Sequence, residues 1–188
     1  MANKRIAIIG AGPAGLMAAE VLSQYHYDIE IYEQKPSAAR KFLMAGKTGL
    51  NISHAEPVEM FIQRYDHAAW LGPWIKQCDA AWIQNWMQGL GIESYIGSSG
   101  RVFPVEMKAA PLLRAWLKRL MNDGVKFHYR HRCVALSGNQ LTLENQTQTF
   151  TTSYDAIILA CGAVSWPQLG SEGDWQHWLS SNEIKPFQ

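Results

Sequence analysis

Paired cysteines are missing from this chain. The three present, Cys78, Cys133 and Cys161, are odd in number, far apart, and form neither a CxxC pair nor a cysteine–histidine cluster. That excludes a disulfide framework and a cysteine-ligated zinc site, and it fits a reducing, cytoplasmic home. None of the six histidines belongs to an HExxH motif, so no metal is expected. An excess of one charge is missing too: 17 basic against 16 acidic residues leave a net +1, which gives no footprint for nucleic acid or an anionic membrane. No apolar run is long enough to span a bilayer. Lys4 and Arg5 before IAIIGAGPAGLMAA imitate a signal peptide, but the glycines inside that run explain it better. No Ser/His/Asp set can be assigned from chain order, so catalytic residues stay unassigned. What remains is a 188-residue chain, 47% hydrophobic and 18% charged, in keeping with one soluble domain that has a real core.

The informative stretch runs from Ile6 to Glu33. An apolar run ends in Gly10-x-Gly12-x-x-Gly15, an Ala-rich segment follows, and a second apolar run, Ile29 to Tyr32, ends in Glu33. This reads as strand, turn, helix, and strand with an acid at its tip. Gly10 permits the tight turn, Gly12 lets the backbone approach a pyrophosphate, and Gly15 lets the helix pack on the sheet. The helix N-terminus offers unsatisfied N–H groups to phosphate, and Pro13 suits its first turn. Glu33 lies where an acid accepts a ribose hydroxyl and repels a 2′-phosphate. The context points to a dinucleotide; the bland alternative is a turn whose glycines serve packing alone.

The segment from Gln34 to His54 reads as a long loop rich in small and basic residues. Either it wraps the ligand, with Arg40 or Lys41 near phosphate, or it is a solvated surface loop. Its AGKTG string is not a triphosphate-binding loop, because position 41 is Lys where the first Gly belongs and no strand precedes it. A helical, tryptophan-rich region follows: Glu56 to Arg64, then Trp70 with Trp74 and Trp82 with Trp86, each pair four apart and expected in the core. Asp79 is a predicted N-cap for a helix from Ala80 to Leu90, with Gly91 its stop. Two short strands are expected around Ser98-Ser99-Gly100, and a helix from Ala109 to Met121. One strand is predicted over Val125 to Val134, then Gln140 to Glu144 and Gln148 to Thr152 joined by a turn at Asn145, as a β-meander. The apolar run Asp155 to Ala160 reads as a buried parallel strand ending in Cys161-Gly162, where α/β sheets admit ligands. A short helical segment from Trp175 to Leu179 and a polar tail close the chain.

With these residues in place, the chain resembles the bacterial flavoproteins of the YhiN type, the NAD(P)/FAD-dependent oxidoreductases related to aminoacetone oxidase. GAGPAG, ARKFLMAGKTGLNISH, GRVFP at Gly100 to Pro104 and ILACGAVSWPQLGSEGD are similar to that family's blocks, in the same order. The resemblance implies an α/β fold: a Rossmann-like FAD/NAD(P)-binding domain of glutathione-reductase type, with a central parallel sheet, helices and a β-meander. Carried over by position, Gly10, Gly12, Pro13, Ala14 and Gly15 hold the pyrophosphate, and Glu33 with Gln34 the adenosine ribose. Arg40 and Lys41 match the basic pair after the acid. Ala45, Gly46 and Asn51 match the flavin-side loop, Val134 meets adenine through its backbone, and Ala160, Cys161 and Gly162 match the strand-end motif. Many members read SGGGRCN where this chain has Ala45 to Asn51, so the family's Arg and Cys are replaced by Gly49 and Leu50. Members run to about twice this length. The resemblance therefore implies an N-terminal portion, residues 1–188, with the Trp-rich segment at about 56–91 inserted and the C-terminal part absent.

The expected function is an FAD-dependent oxidoreductase of unknown substrate and oligomeric state, with NAD(P)H a candidate electron donor. Two other readings stay open: an NAD-linked dehydrogenase, and a non-catalytic dinucleotide-binding fragment or module.

Overall fold

The run IAII after Lys4-Arg5 becomes an inner strand, buried from Ile6 through Ile9, which is why it lacks the alternation of a half-exposed strand. In a computed structural model that describes residues 3–163, 166–170 and 173–179, the elements follow in chain order. They are β1 (Lys4–Ile9), α1 (Pro13–Leu22), β2 (Tyr27–Glu33), α2 (Arg40–Ala45), β3 (Ser53–His54), α3 (Val58–Ile62), α4 (Ala68–Gln77) and α5 (Ala80–Gly89). After these come β4 (Ser94–Ile96), β5 (Arg101–Pro104), α6 (Ala109–Asn122), β6 (Lys126–Tyr129), β7 (Arg132–Ser137), β8 (Gln140–Glu144), β9 (Thr149–Ser153) and β10 (Ala156–Leu159). Two 3₁₀ turns follow, Pro167–Leu169 and Asp174–Trp178. The polar tail, and residues 164, 165, 171 and 172 of the ILACGAVSWPQLGSEGD block, lie outside the described residues. The chain divides into two units: Met1–Lys41 with Leu120–Gln188, and Phe42–Arg119.

The first unit holds a four-stranded sheet in the order β10-β1-β2-β6, every pair parallel. Ala7 and Ile9 of β1 join Tyr32, Cys133, Leu141, Leu143 and Tyr154 in one buried cluster, so the meander β7-β8-β9 packs on that face. The period of two turns Ile6 and Ile8 to the other face. The strand predicted over Val125 to Val134 is two strands. β6 pairs with β2 only as far as Glu33 opposite Tyr129, and Arg130 then takes a left-handed φ of 59°. That kink sends β7 into the antiparallel meander.

The second unit carries the antiparallel sheet β3-β5-β4 and a core of Leu50, Met87, Ala109 and Leu112. Asp79 caps α5 by accepting the Trp82 N–H at 2.8 Å, as its position predicts. Trp82 and Trp86 are stacked at 6.4 Å, and Trp86 meets Trp116 edge-on at 4.7 Å. The other tryptophan pair departs from expectation, since Trp70 and Trp74 are 66% and 60% exposed. The cause is Gly72, the buried residue of α4, where an added Cβ would stand 3.3 Å from Ile62 of α3. Close approach at that face leaves Trp70 and Trp74 on the outward one.

Candidate functional site

The β1–α1 turn is built by backbone contacts that only glycine allows. Gly10, at φ 107°, donates its N–H to Tyr32 O at 2.8 Å, and a Cβ there would strike the Ala160 carbonyl. A Cβ on Gly15 would strike the Gly10 carbonyl. Gly12 differs: its φ of −77° suits any residue, and an added Cβ meets no atom within 4 Å. It faces the open cleft. Gly12 is also the N-cap of α1, with no capping side chain and no acid in the first turn, so the positive end of the helix is left uncompensated there.

Glu33 pins this turn. Its carboxylate accepts the Ala11 N–H at 3.0 Å through one oxygen and the Lys35 N–H at 2.8 Å through the other. Each oxygen retains a lone pair for a ligand. Ala39, at φ 51°, ties the following loop to the turn through its N–H to Ala11 O at 2.9 Å. Gln34 donates from its amide to Gly170 O at 2.7 Å, and Lys41 Nζ donates to Ala163 O at 3.4 Å. Arg40 Nε is buried and meets no hydrogen-bond partner among the described residues. That donor is the one unsatisfied polar atom of the cleft wall.

The cleft brings together Gly10, Gly12, Pro13, Ala14, Glu33, Gln34, Arg40 and Lys41 with Ala160, Cys161 and Gly162 at the end of β10. Gly15 lies behind the turn as packing. Val134 stands next to the lining rather than in it, and the adjacent His131, Arg132 and Cys133 line the cleft instead. Ala45, Gly46 and Asn51 belong to the second unit, where Gly46 packs on Ala109 and the Asn51 N–H reaches Gly49 O at 3.1 Å. His131 was not legible as a site residue, because only the kink at Arg130 moves it there. The polar string HYRHR inside an expected buried strand was its one signal.

The two lining cysteines are neutral. Burial pushes the Cys161 thiol up to about 12, with Cys133 and Glu33 nearby adding to it, and burial pushes Cys133 up to about 11. Their S–H groups point to backbone, Cys161 to Ile9 O at 3.6 Å and Cys133 to Ala135 O at 3.5 Å. Neither arrangement favours a thiolate nucleophile. Below them, Tyr32 and Tyr154 share a 2.6 Å hydroxyl contact, and Tyr32 donates to Glu30 at 3.1 Å. Burial pushes the Glu30 carboxyl up, but hydrogen bonds from Arg5, Tyr32 and His128 outweigh it and hold it below its ordinary value.

The family model for the HI0933-like protein Rossmann domain matches residues 4–186. The chain belongs to this family. Among curated proteins, the 3-dehydro-bile acid delta(4,6)-reductase of Clostridium scindens is 26% identical over 90% of the chain, and the chain spans 41% of that reductase. A 32-residue stretch is 56% identical to an NAD-dependent dihydropyrimidine dehydrogenase subunit PreT homolog of Salmonella typhi, covering 17% of this chain and 8% of that one. Among solved structures, the 3-ketosteroid-delta4-(5alpha)-dehydrogenase of Rhodococcus jostii RHA1 superposes with TM-score 0.65 at 12% identity, over 87% of this chain and 47% of that one, a likeness of fold. The HI0933-like domain is a flavoprotein oxidoreductase-type Rossmann domain, and FAD is the cofactor that goes with it. The cleft fits such a group: open space over Gly12, an uncompensated helix end and an unpartnered Arg40 Nε all suit an anionic diphosphate.

Proposed function

We propose that the first unit of this HI0933-like chain holds the adenylate end of FAD and acts as the cofactor domain of an oxidoreductase. Gly10, Gly12, Pro13 and Ala14 would receive the diphosphate at the start of α1, with Gly15 supporting the turn and Arg40 and Lys41 supplying positive charge. Glu33 and Gln34 would take the ribose. Ala160, Cys161 and Gly162 would border the same cleft, with Val134 beside it. Ala45, Gly46 and Asn51, in the second unit, are assigned to the flavin side through the family blocks. FAD, when bound, supplies hydride or electron-pair chemistry. The protein's part is to orient it and keep the surrounding thiols neutral. The observation that carries this reading is the open space over Gly12 beneath an uncompensated helix end.

The reading extends to substrate through the curated relative. A reductase of a 3-dehydro-bile acid supports the reduction of a carbon–carbon double bond conjugated to a ketone, with NAD(P)H as electron source. It also supports assigning residues 1–188 to the cofactor-binding portion, with the Trp-rich segment at about 56–91 inserted. A second reading, NAD binding alone, is favoured by the 32-residue likeness to an NAD-dependent subunit, which lies within reach of the fingerprint's own length.

One experiment separates them. The 188-residue chain, purified and incubated with FAD or NAD, is desalted and its retained ligand identified by absorption spectrum and mass. Retained FAD is expected; a colourless chain that takes up NAD and not FAD refutes the proposal.

A further inference from the structure

His131 stands in the cleft wall through an unusual route. β6 ends at Tyr129, Arg130 adopts its left-handed φ of 59°, and the His131 N–H then returns to β2 by donating to Glu33 O at 3.0 Å. A non-glycine residue in that conformation is uncommon and costs about 1 kcal/mol or more, so the kink persists because its surroundings hold it. What it achieves is to set His131 beside Glu33 at the lip of the cleft.

The imidazole is fully committed within the protein. A carbonyl oxygen can only accept, so the 2.9 Å contact of Nδ1 with Tyr129 O requires the proton on Nδ1. At the other nitrogen, Nε2 lies 3.2 Å from Asn145 Nδ2. The orientation of that amide is settled by its oxygen. Asn145 Oδ1 accepts the Thr147 N–H at 2.9 Å, the Thr147 hydroxyl at 2.8 Å and the Gln148 N–H at 3.0 Å, which closes the β8–β9 turn. With the oxygen held by three donors, the NH₂ group must face the histidine, and Nε2 must accept. Both ring nitrogens are therefore spent, one on Tyr129 and one on Asn145.

Three aromatic rings hold the plane of the ring: Tyr32 at 6.0 Å, His128 at 5.7 Å and Phe150 at 6.1 Å, each tilted or edge-on. A ring so held, lining the cleft and offering no free nitrogen, can meet a ligand only through its π surface.

We propose that His131 is a cofactor-contacting residue whose imidazole walls the adenine end of the cleft by stacking alone, its tautomer set from outside the cleft by Asn145. The placement follows from the neighbours. Diphosphate sits at the glycine turn and ribose at Glu33, so the base extends past Glu33 on the side where His131 stands. This role rests on the proposed FAD reading, whereas the tautomer does not.

The test has two arms on the 188-residue chain. In the first, ring-¹⁵N histidine labelling and long-range ¹H–¹⁵N correlation, assigned with His131→Phe, read the ligand-free ring. A proton on Nδ1 and a bare Nε2 are expected, and a proton found on Nε2 overturns the lock. Asn145→Asp keeps an oxygen for the turn but replaces the facing donor with an acceptor, so Nε2 gains a proton; an unchanged Nε2 signal overturns the assignment to Asn145. In the second arm, FAD, ADP and FMN are titrated against wild type, His131→Ala and His131→Phe, all checked for wild-type near-UV circular dichroism. His131→Ala weakens FAD and ADP by about tenfold and leaves FMN unchanged, while His131→Phe stays within about threefold of wild type. Unchanged FAD affinity in His131→Ala, or an equal loss in His131→Phe, overturns the stacking role. Failure of the wild type to take up either FAD or ADP instead overturns the cofactor reading itself, and leaves the first arm standing.

Discussion

The three fingerprint glycines make separable demands, and methylating each in turn tests whether the turn was built for folding, for binding, or for both. At Gly12 the backbone is extended, at φ −77° and ψ 176°, and an added Cβ finds no atom within 4 Å. Alanine at an N-cap is poorer than glycine by roughly 0.5 kcal/mol, while the stiffer unfolded chain returns about 0.4–1 kcal/mol. These nearly cancel, so Gly12→Ala should shift the melting temperature by no more than about 2 °C. The same methyl stands where a diphosphate approaches the backbone. Loss of one charge-assisted hydrogen bond of about 2 kcal/mol weakens FAD roughly thirtyfold. Gly10→Ala and Gly15→Ala behave oppositely. Their methyls collide with the carbonyls of Ala160 and Gly10, and Gly10 also sits at φ 107°. Overpacking and strain together cost about 3 kcal/mol, which lowers the melting temperature of a chain this size by about 6–12 °C. Thermal denaturation without ligand and FAD fluorescence titration measure the two effects. If Gly12→Ala binds FAD like wild type, or unfolds as early as Gly10→Ala, the division of labour is refuted.

Glu33→Ala removes the acceptor of two backbone N–H groups, Ala11 and Lys35, before any ligand is present. About 2 kcal/mol and 4–8 °C of melting temperature are lost in the ligand-free chain; an unchanged ligand-free transition would mean that Glu33 serves the ligand only. The thiols should show their burial as pH dependence. At pH 8.5 a thiol raised to about 12 is ionised to roughly 0.03%, so Cys161 alkylates about a thousandfold more slowly than an ordinary thiol. Cys133, at about 11, alkylates about a hundredfold more slowly, and both rates rise about tenfold per pH unit until the thiol titrates. Peptide mass spectrometry of iodoacetamide-treated chain reads this, and rapid labelling of Cys161 in the folded chain contradicts its placement.

Much of the first unit was legible because its signals are local. A continuous apolar run, glycines at fixed spacing and an acid at a strand tip specify β1, α1 and β2 through stereochemistry that needs no distant partner. The strands at Gln140–Glu144 and Asp155–Ala160 and the turn at Asn145 were legible for the same reason. The break at Arg130 was not. Nothing in Tyr-Arg-His-Arg favours positive φ, and the kink exists because pairing of β6 with β2 runs out at Glu33 opposite Tyr129. The tryptophans divide along the same line. Spacing of four puts Trp70 and Trp74 on one face of α4, but only the approach of Ile62 to Gly72 decides that this face is the exposed one.

Glu33 shows why a site can be more ordered than its motif suggests. From sequence it was an acceptor waiting for a ribose. In the fold its two carboxylate oxygens hold the N–H groups of Ala11 and Lys35, and its main-chain oxygen holds the N–H of His131. One residue thus ties the glycine turn, the tip of β2 and the entry to the meander, three segments that supply the wall of a single cleft. Because these bonds form without a ligand, the entropy of ordering that wall is spent on folding and not on binding. The same economy has a cost in tolerance. A substitution at Glu33 acts first on the shape of the cleft and only then on any hydroxyl it would bind, so loss of affinity in such a variant cannot by itself identify a ribose contact. Comparison of ADP with adenosine bearing a 2′-deoxyribose, in wild type and in Glu33→Gln, isolates the hydroxyl from the scaffold that presents it.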